Sequence, residues 1–122
     1  MADHGLQLYG NAIIVNTDFA AKNQDIVQGF LSAVAAGWQD AISDPAAAIA
    51  SLVKRNPAAD AALEERRLML AVNANVLTDY VKTNGMGSVD PTRLDAAIKQ
   101  LAETYEYNGQ PDASLYFTDK YL

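Results

Sequence analysis

The apolar pattern of the chain opens with one short continuous run and then changes to apolar residues recurring every three or four positions. The run Ala12-Ile13-Ile14-Val15 lies within residues 6–16. This segment predicts a β-strand, because its apolar residues are mostly β-branched and uninterrupted, as in a strand buried on both faces. A lone strand leaves its backbone donors and acceptors unpaired. No comparable run follows in the sequence, so we expect polypeptide outside this chain to complete the sheet.

The remainder, residues 19–122, predicts a mainly α structure of about five helices. A turn of helix at 19–22 is followed by Asn23, a suitable N-cap for a long helix. Gly29 and Gly37 each weaken that helix by about 1 kcal/mol relative to alanine, so we expect backbone to pack closely against them. The long helix carries one apolar stripe at helical spacing, made of Ile26, Val27, Phe30, Leu31, Val34, Trp38, Ala41 and Ile42.

Capping residues and prolines predict where the later helices begin and end. Asp-Pro at 44–45 and again at 90–91 combines an N-cap with proline at the first helical position. Asn56-Pro57 is expected to end a helix. We expect aspartates to cap two further elements, at Asp60 and Asp112.

Two arrangements remain open near residue 78. Either Leu77-Thr78 is a break and Thr78 caps a short helix, or the preceding helix continues to Lys82. The stretch from Asn84 to Ser88 contains two glycines and predicts a loop.

Size, charge and cysteine content restrict the possible functions. A chain of 122 residues forms at most one domain. Its formal net charge of −6 argues against binding to nucleic-acid backbones or to anionic membranes. The absence of cysteine excludes disulfides and thiolate metal sites. No stretch is apolar enough to cross a bilayer, and residues 1–5 do not resemble a signal peptide.

Few residues suggest chemistry. His4 is the only histidine, so neither a histidine-based metal site nor a Ser-His-Asp triad is predicted, and solvation is the simpler interpretation. Tyr9-Gly10-Asn11 is the best candidate for a site: a glycine in a strand marks a bulge or a close approach. Tyr9 and Asn11 could then offer a ring face and an amide to a ligand. The alternative, slightly favoured, is a hinge at which Gly10 only permits a bend.

Aromatic residues crowd the last part of the chain. They could line a ligand pocket or cover an interface, but packing of the C-terminal segment onto the core is the favoured interpretation. These aromatic residues are Tyr105, Tyr107, Tyr116, Phe117 and Tyr121.

The order of these segments resembles a known family. Residues 3–16 are followed by the Asn-x-Asp-x-Val-x-x-Phe-Leu-x-Ala pattern at 23–33, then by the Asp44-Pro45 helix and by Gly-Met-Gly-Ser-Val-Asp at 85–90. This order resembles the C-terminal portion of periplasmic substrate-binding proteins of ABC importers. The closest branch serves thiamine-pyrimidine precursors, nitrate, alkanesulfonates and taurine.

The resemblance implies a part of a two-lobed α/β protein that closes on a small ligand. Residues 1–122 would form a single partial domain, with a hinge strand at 6–16 and a helical part at 19–122. The implied activity is capture of a pyrimidine precursor, sulfonate, nitrate or small organic acid in the periplasm and delivery to permease subunits. It involves neither catalysis nor a cofactor, and the signal peptide would lie outside this chain. Tyr9 and Asn11 would lie near the ligand.

Three further expectations follow. An unpaired strand favours a homodimer formed through the N-terminal strand. A free-standing helical interaction module is the alternative function. An enzyme that makes pyrimidines on the same scaffold is a third possibility, but it requires residues that this chain does not contain.

Overall fold

The computed structural model describes residues 9–105, 109 and 112–122. This part of the chain contains six α-helices, one π-helical segment and one 3₁₀ turn. In chain order the elements are α1 (Thr17–Lys22), α2 (Gln24–Ser43), α3 (Pro45–Arg55), α4 (Ala61–Ala71), the π segment (Val72–Val76), α5 (Asp79–Asn84), α6 (Pro91–Tyr105) and the 3₁₀ turn (Ala113–Leu115). The prediction of a mainly helical chain is confirmed.

The junction between α1 and α2 differs from the sequence-based prediction in one respect. The predicted helical turn is present and begins two residues earlier, at Thr17, because Asn16 caps it by accepting a hydrogen bond from the Phe19 amide at 3.0 Å. Asn23 precedes α2 as predicted, but its side chain does not cap that helix. Its Nδ2 instead donates to the Phe19 carbonyl at 2.9 Å. Asn23 therefore closes the end of α1.

The other predicted caps are confirmed by hydrogen bonds. Asp44 accepts from the Ala47 amide at 3.0 Å, and Asp60 accepts from the Leu63 amide at 2.9 Å. The break near residue 78 is the arrangement observed, since the Thr78 hydroxyl accepts from the α5 amide of Val81 at 3.2 Å. Each cap satisfies an amide that would otherwise lack a partner in the first helical turn.

The predicted strand at 6–16 is not found in the described residues. Residues 6–8 lie outside them, and residues 9–16 adopt neither helix nor strand. Ile13 and Ile14 are exposed, Ile14 to 94 %. A strand exists only when a neighbouring segment pairs with it, and no segment of the described part of the chain does so. A single copy does not test the homodimer expected through residues 6–16, which stays a prediction.

The core is thin for a chain of this size. Val72 is buried to 1 % exposure, and Ile49 and Ala97 are also buried. A separate small cluster forms where Ala20, Val27 and Tyr121 meet. Helices that are adjacent in sequence pack together, α1 on α2, α2 on α3 and α3 on α4.

The predicted stripe of α2 is only partly buried. Val27 is buried, whereas Ile26 and Phe30 are 59 % and 56 % exposed. The expectation that other backbone packs against Gly29 and Gly37 is wrong for the described chain: a Cβ at either position would have no neighbour within 4 Å. Part of the apolar surface of α2 thus has no cover within this structure.

The C-terminal segment is anchored by one aromatic residue. Tyr121 is 8 % exposed and lies in the cluster with Ala20 and Val27. Phe117 is half-buried, whereas Tyr105 and Tyr116 are exposed. Packing is therefore confirmed at Tyr121, and Tyr107 lies outside the described residues.

Candidate functional site

The predicted site residue Tyr9 contacts the beginning of α6. Its hydroxyl oxygen accepts a hydrogen bond from the Asp90 amide at 2.9 Å, across 81 positions of sequence. Asp90 is the residue that caps α6, since its Oδ1 accepts from the Thr92 amide at 2.9 Å. The N-terminal segment is therefore attached at the point where α6 begins.

The ring of Tyr9 also contacts a cationic side chain. The guanidinium carbon of Arg93 lies 4.3 Å from the ring centroid, within the range of a cation–π interaction. Such a contact contributes about 0.5–1 kcal/mol when it is solvent-accessible. Tyr9 and Arg93 therefore form an aromatic and cationic pair, which we call the Tyr9–Arg93 site.

The loop beside this site depends on two glycines. Gly85 and Gly87 have φ values of 93° and 90°, which side-chain-bearing residues rarely adopt. The Leu122 side chain covers Gly87 closely, because a Cβ there would lie 2.8 Å from Leu122 Cδ2. The Tyr80 hydroxyl donates to the Val89 carbonyl at 3.2 Å, fixing the other end of the loop. Tyr9 and Leu122 thus hold this loop from the two ends of the described chain.

The second predicted site residue, Asn11, is exposed and follows Gly10, where an added Cβ would meet nothing within 4 Å. No other segment of the described chain therefore packs closely against Gly10. The ligand-binding roles of Tyr9 and Asn11 both remain predictions. His4 lies outside the described residues.

The chemistry of the Tyr9–Arg93 site suits a planar or anionic group more than a cation. A guanidinium donates hydrogen bonds in a planar fork that matches carboxylates and related oxyanions. Metal binding has no comparable support in the described residues, where no group of three or more histidine, cysteine, aspartate or glutamate side chains could hold an ion.

Perturbed carboxylates lie elsewhere in the chain. A hydrogen bond and the charge of Lys82 lower the pKa of Asp79, whose Oδ1 lies 2.8 Å from Lys82 Nζ. Backbone and side-chain hydrogen bonds from Ser114 lower the pKa of Asp112. Both aspartates are solvated residues that support helical turns, so neither is placed as a catalytic group.

A wide groove lies between α3 and α4. Its volume is about 540 Å³, and Lys54 and Glu65 are its only charged residues. The groove is open to solvent, and its lining does not include Tyr9 or Asn11. It is lined by Ala46, Ile49, Ala50, Val53, Lys54, Ala61 and Glu65.

Sequence reasoning missed Arg93 and the role of Asp90 beside Tyr9. Asp90 was predicted only as a helix cap, which is confirmed, and nothing in the spacing connects either residue with position 9. The contact depends on how the helices between them turn back. Only Tyr9 could be selected from the sequence, because it is an amphipathic aromatic residue next to a glycine.

One comparison with known proteins gives a match. The family model described as NMT1/THI5 like matches residues 1–48, which is less than half of the chain. The matched range includes the Tyr9-Gly10-Asn11 segment, α1, α2 and the first residues of α3. Neither the curated proteins nor the solved structures contain a match to this chain. The likeness to this family thus rests on the N-terminal part of the sequence.

None of the helices described in residues 9–105, 109 and 112–122 combines the length and apolar character needed to cross a membrane.

Proposed function

We propose that this chain is the C-terminal portion of an extracytoplasmic solute-binding protein of an ABC importer. The protein would bind a small molecule in the periplasm and deliver it to permease subunits, without catalysis. The observation that carries this proposal is the match of the NMT1/THI5-like family model to residues 1–48. The order of the later segments, with the Asp44-Pro45 helix and the 85–90 loop, supports the same assignment.

The apolar run at 12–15 supports a larger protein. Ile13 and Ile14 are exposed in this structure, yet their β-branched, continuous pattern is typical of a strand buried on both faces. Exposure of such a run is unfavourable, since each fully buried side chain of this size contributes roughly 1.5–3 kcal/mol. In the proposed protein, neighbouring strands from its other part cover the run, and residues 6–16 pass between the two lobes as the hinge strand.

The Tyr9–Arg93 site supports an anionic or planar solute. In the proposed protein, Tyr9 and Asn11 lie near the ligand and Arg93 lies against the Tyr9 ring. The solutes consistent with this chemistry are nitrate, taurine or another sulfonate, a small organic acid and a pyrimidine precursor. Each offers either oxyanion acceptors for a guanidinium or a flat ring for stacking.

The test is a thermal-shift screen of the longest polypeptide that the gene encodes, using these solutes as probes. A ligand present at one hundred times its Kd stabilises the folded state by about 2.7 kcal/mol, which is readily measured. An anionic ligand should stabilise Arg93→Gln less than the parent protein. Arg66→Gln is the matched control, because Arg66 is an exposed arginine of α4. Absence of any shift would contradict the proposal, and so would an upstream reading frame without a signal peptide and further alternating strands and helices.

The alternative function is a helical interaction module, and one observation favours it. Many large apolar side chains are exposed on the helices, including Phe30 in α2 and Leu70 in α4. Exposed apolar side chains on helices are a feature of surfaces that bind a partner helix. Capture of a specific helical partner by the 122-residue chain, together with a failure of all solute probes, would favour this alternative.

A further inference from the structure

Tyr9 makes two contacts with the beginning of α6. Its hydroxyl oxygen accepts a hydrogen bond from the Asp90 amide at 2.9 Å, and the centroid of its ring lies 4.3 Å from the guanidinium carbon of Arg93. Asp90 directly precedes α6, and Arg93 is the third residue of that helix. One side chain is therefore fixed both at its hydroxyl and at its ring by two residues of the same helical turn.

The backbone to which the Tyr9 hydroxyl is attached is itself held in place. Oδ1 of Asp90 accepts a hydrogen bond from the Thr92 amide at 2.9 Å. The carbonyl of Val89, one residue earlier, accepts a hydrogen bond from the Tyr80 hydroxyl at 3.2 Å. Tyr9 is thus attached to a supported point of the chain, and its ring has a defined position at the start of α6.

Contact with this ring restricts the side chain of Arg93. An arginine side chain samples many rotamers in solution, and its guanidinium recognises an oxyanion only when the planar fork of N–H groups faces that anion. The contact with Tyr9 favours the rotamers in which the guanidinium stays close to the ring. It uses the charge of the guanidinium and no particular N–H group, so it is compatible with hydrogen bonds to an anion.

We propose that Tyr9 is a positioning residue, which orients the guanidinium of Arg93 for an anionic solute. This role rests on the proposed solute-binding function and divides the work of the Tyr9–Arg93 site. Arg93 supplies the charge that the solute meets, and Tyr9 acts on the solute through Arg93.

The contact distance sets the size of this indirect effect. A solvent-accessible cation–π contact favours the oriented rotamers about two- to fivefold. Without the ring, the binding-competent fraction of Arg93 falls by up to that factor, and the apparent Kd for an anion rises correspondingly. An uncharged solute gains nothing from the orientation of a cation. A purely structural role of Tyr9 would instead weaken the binding of charged and uncharged solutes equally.

The orientation of Arg93 is measured by NMR on the 122-residue chain without a solute. Protons above an aromatic ring resonate upfield, so the Arg93 protons next to the guanidinium should move downfield in Tyr9→Leu and stay close to their positions in Tyr9→Phe. Tyr9→Phe removes only the acceptor of the Asp90 amide, whose hydrogen exchange should become about two- to tenfold faster. Tyr116→Leu is the matched control, because Tyr116 is 65 % exposed. Identical Arg93 resonances in Tyr9→Leu and the parent chain would overturn the proposal.

The effect on binding is measured by calorimetric titration of the longest polypeptide that the gene encodes. Nitrate, taurine and acetate are the anionic probes, and uracil is the uncharged one. For an anionic probe that binds, Tyr9→Leu should raise the Kd about two- to fivefold, whereas Tyr9→Phe should retain most of the affinity because the ring remains. In an Arg93→Gln background, Tyr9→Leu should cause no further loss, since the side chain that it orients is already absent.

Two results would overturn this inference and leave the solute-binding function intact. Additive losses from Tyr9→Leu and Arg93→Gln would indicate that Tyr9 contacts the solute directly. An equal loss of affinity for uracil in Tyr9→Leu, or binding of uracil alone, would show that no anion is oriented by this pair. If none of the probes binds the parent polypeptide, the proposed function itself fails, and the positioning role fails with it.

Discussion

Tyr121 should contribute more to stability than any other aromatic residue of the C-terminal segment. It is 8 % exposed and is the largest side chain of the cluster that it forms, among the described residues, with Ala20 and Val27, against which Leu31 packs. A tyrosine buries about 150–250 Å², worth roughly 4–6 kcal/mol of transfer free energy at 25 cal/mol per Å². The loss on substitution by alanine should be smaller than this transfer free energy, because neighbouring side chains relax into the vacated volume and because the alanine Cβ stays buried. We therefore expect Tyr121→Ala to lower the free energy of unfolding by about 3–5 kcal/mol.

The measurement is urea unfolding followed by far-ultraviolet circular dichroism, supported by a thermal scan. Each kcal/mol lowers the Tm of a domain of this size by about 4 °C, so a decrease of 10 °C or more is expected. Tyr116→Ala is the control, because Tyr116 is 65 % exposed, and its effect should be within about 0.5 kcal/mol. Tyr121→Phe should retain most of the stability, since the ring remains. Equal effects of the two alanine variants would show that the C-terminal segment is not anchored at Tyr121.

Three further predictions concern caps and turns. Asp60→Ala should lower the free energy of unfolding by about 1 kcal/mol, because the α4 amide of Leu63 loses its acceptor; Asp60→Asn is the control and should have little effect in the same urea titration. Gly85→Ala should lower the free energy of unfolding by about 1–3 kcal/mol, because the φ of Gly85 is 93°, whereas Gly29→Ala in α2 should raise it by up to about 1 kcal/mol. Thermal scans should therefore show a lower Tm for the first variant and a higher Tm for the second, and changes of the same sign would contradict the prediction. The pKa of Asp112 is lowered on folding from its ordinary value of 3.8, so the carboxylate should stabilise the fold above pH 3.8, and this contribution should be lost as the pH falls through the lower folded pKa. Asp112→Asn should therefore lose less stability on acidification than the parent protein, and identical pH profiles of the two would contradict the assignment.

Local features of the fold were predictable because they depend on neighbouring residues. The caps at Asp44, Asp60 and Thr78 follow from side chains that reach amides three positions ahead. Asn23 shows the limit of this reasoning. Its amide can serve the helix that ends before it as well as the helix that begins after it, and only the backbone geometry of the junction decides between them.

The strand at 6–16 could not be decided from the sequence, because strand formation requires a partner. The run at 12–15 has the composition of a buried strand, yet residues 9–16 lie unpaired in this structure. The candidate site has the same limitation. Tyr9 could be selected for its ring and its glycine neighbour, but its contacts with Asp90 and Arg93 arise from tertiary structure.

The π segment Val72–Val76 has a consequence for relatives of this chain. The Leu77 amide donates to the Val72 carbonyl at 2.8 Å, a step of five residues where an α-helix uses four. The helix that begins as α4 thus ends in a π turn with one surplus residue, capped by Leu77 before the break at Thr78. Deleting one residue here would leave a regular helical end at the same break. We therefore expect homologous sequences, once aligned, to differ in length by a single position between 72 and 77, and this turn to mark where an insertion entered the lineage.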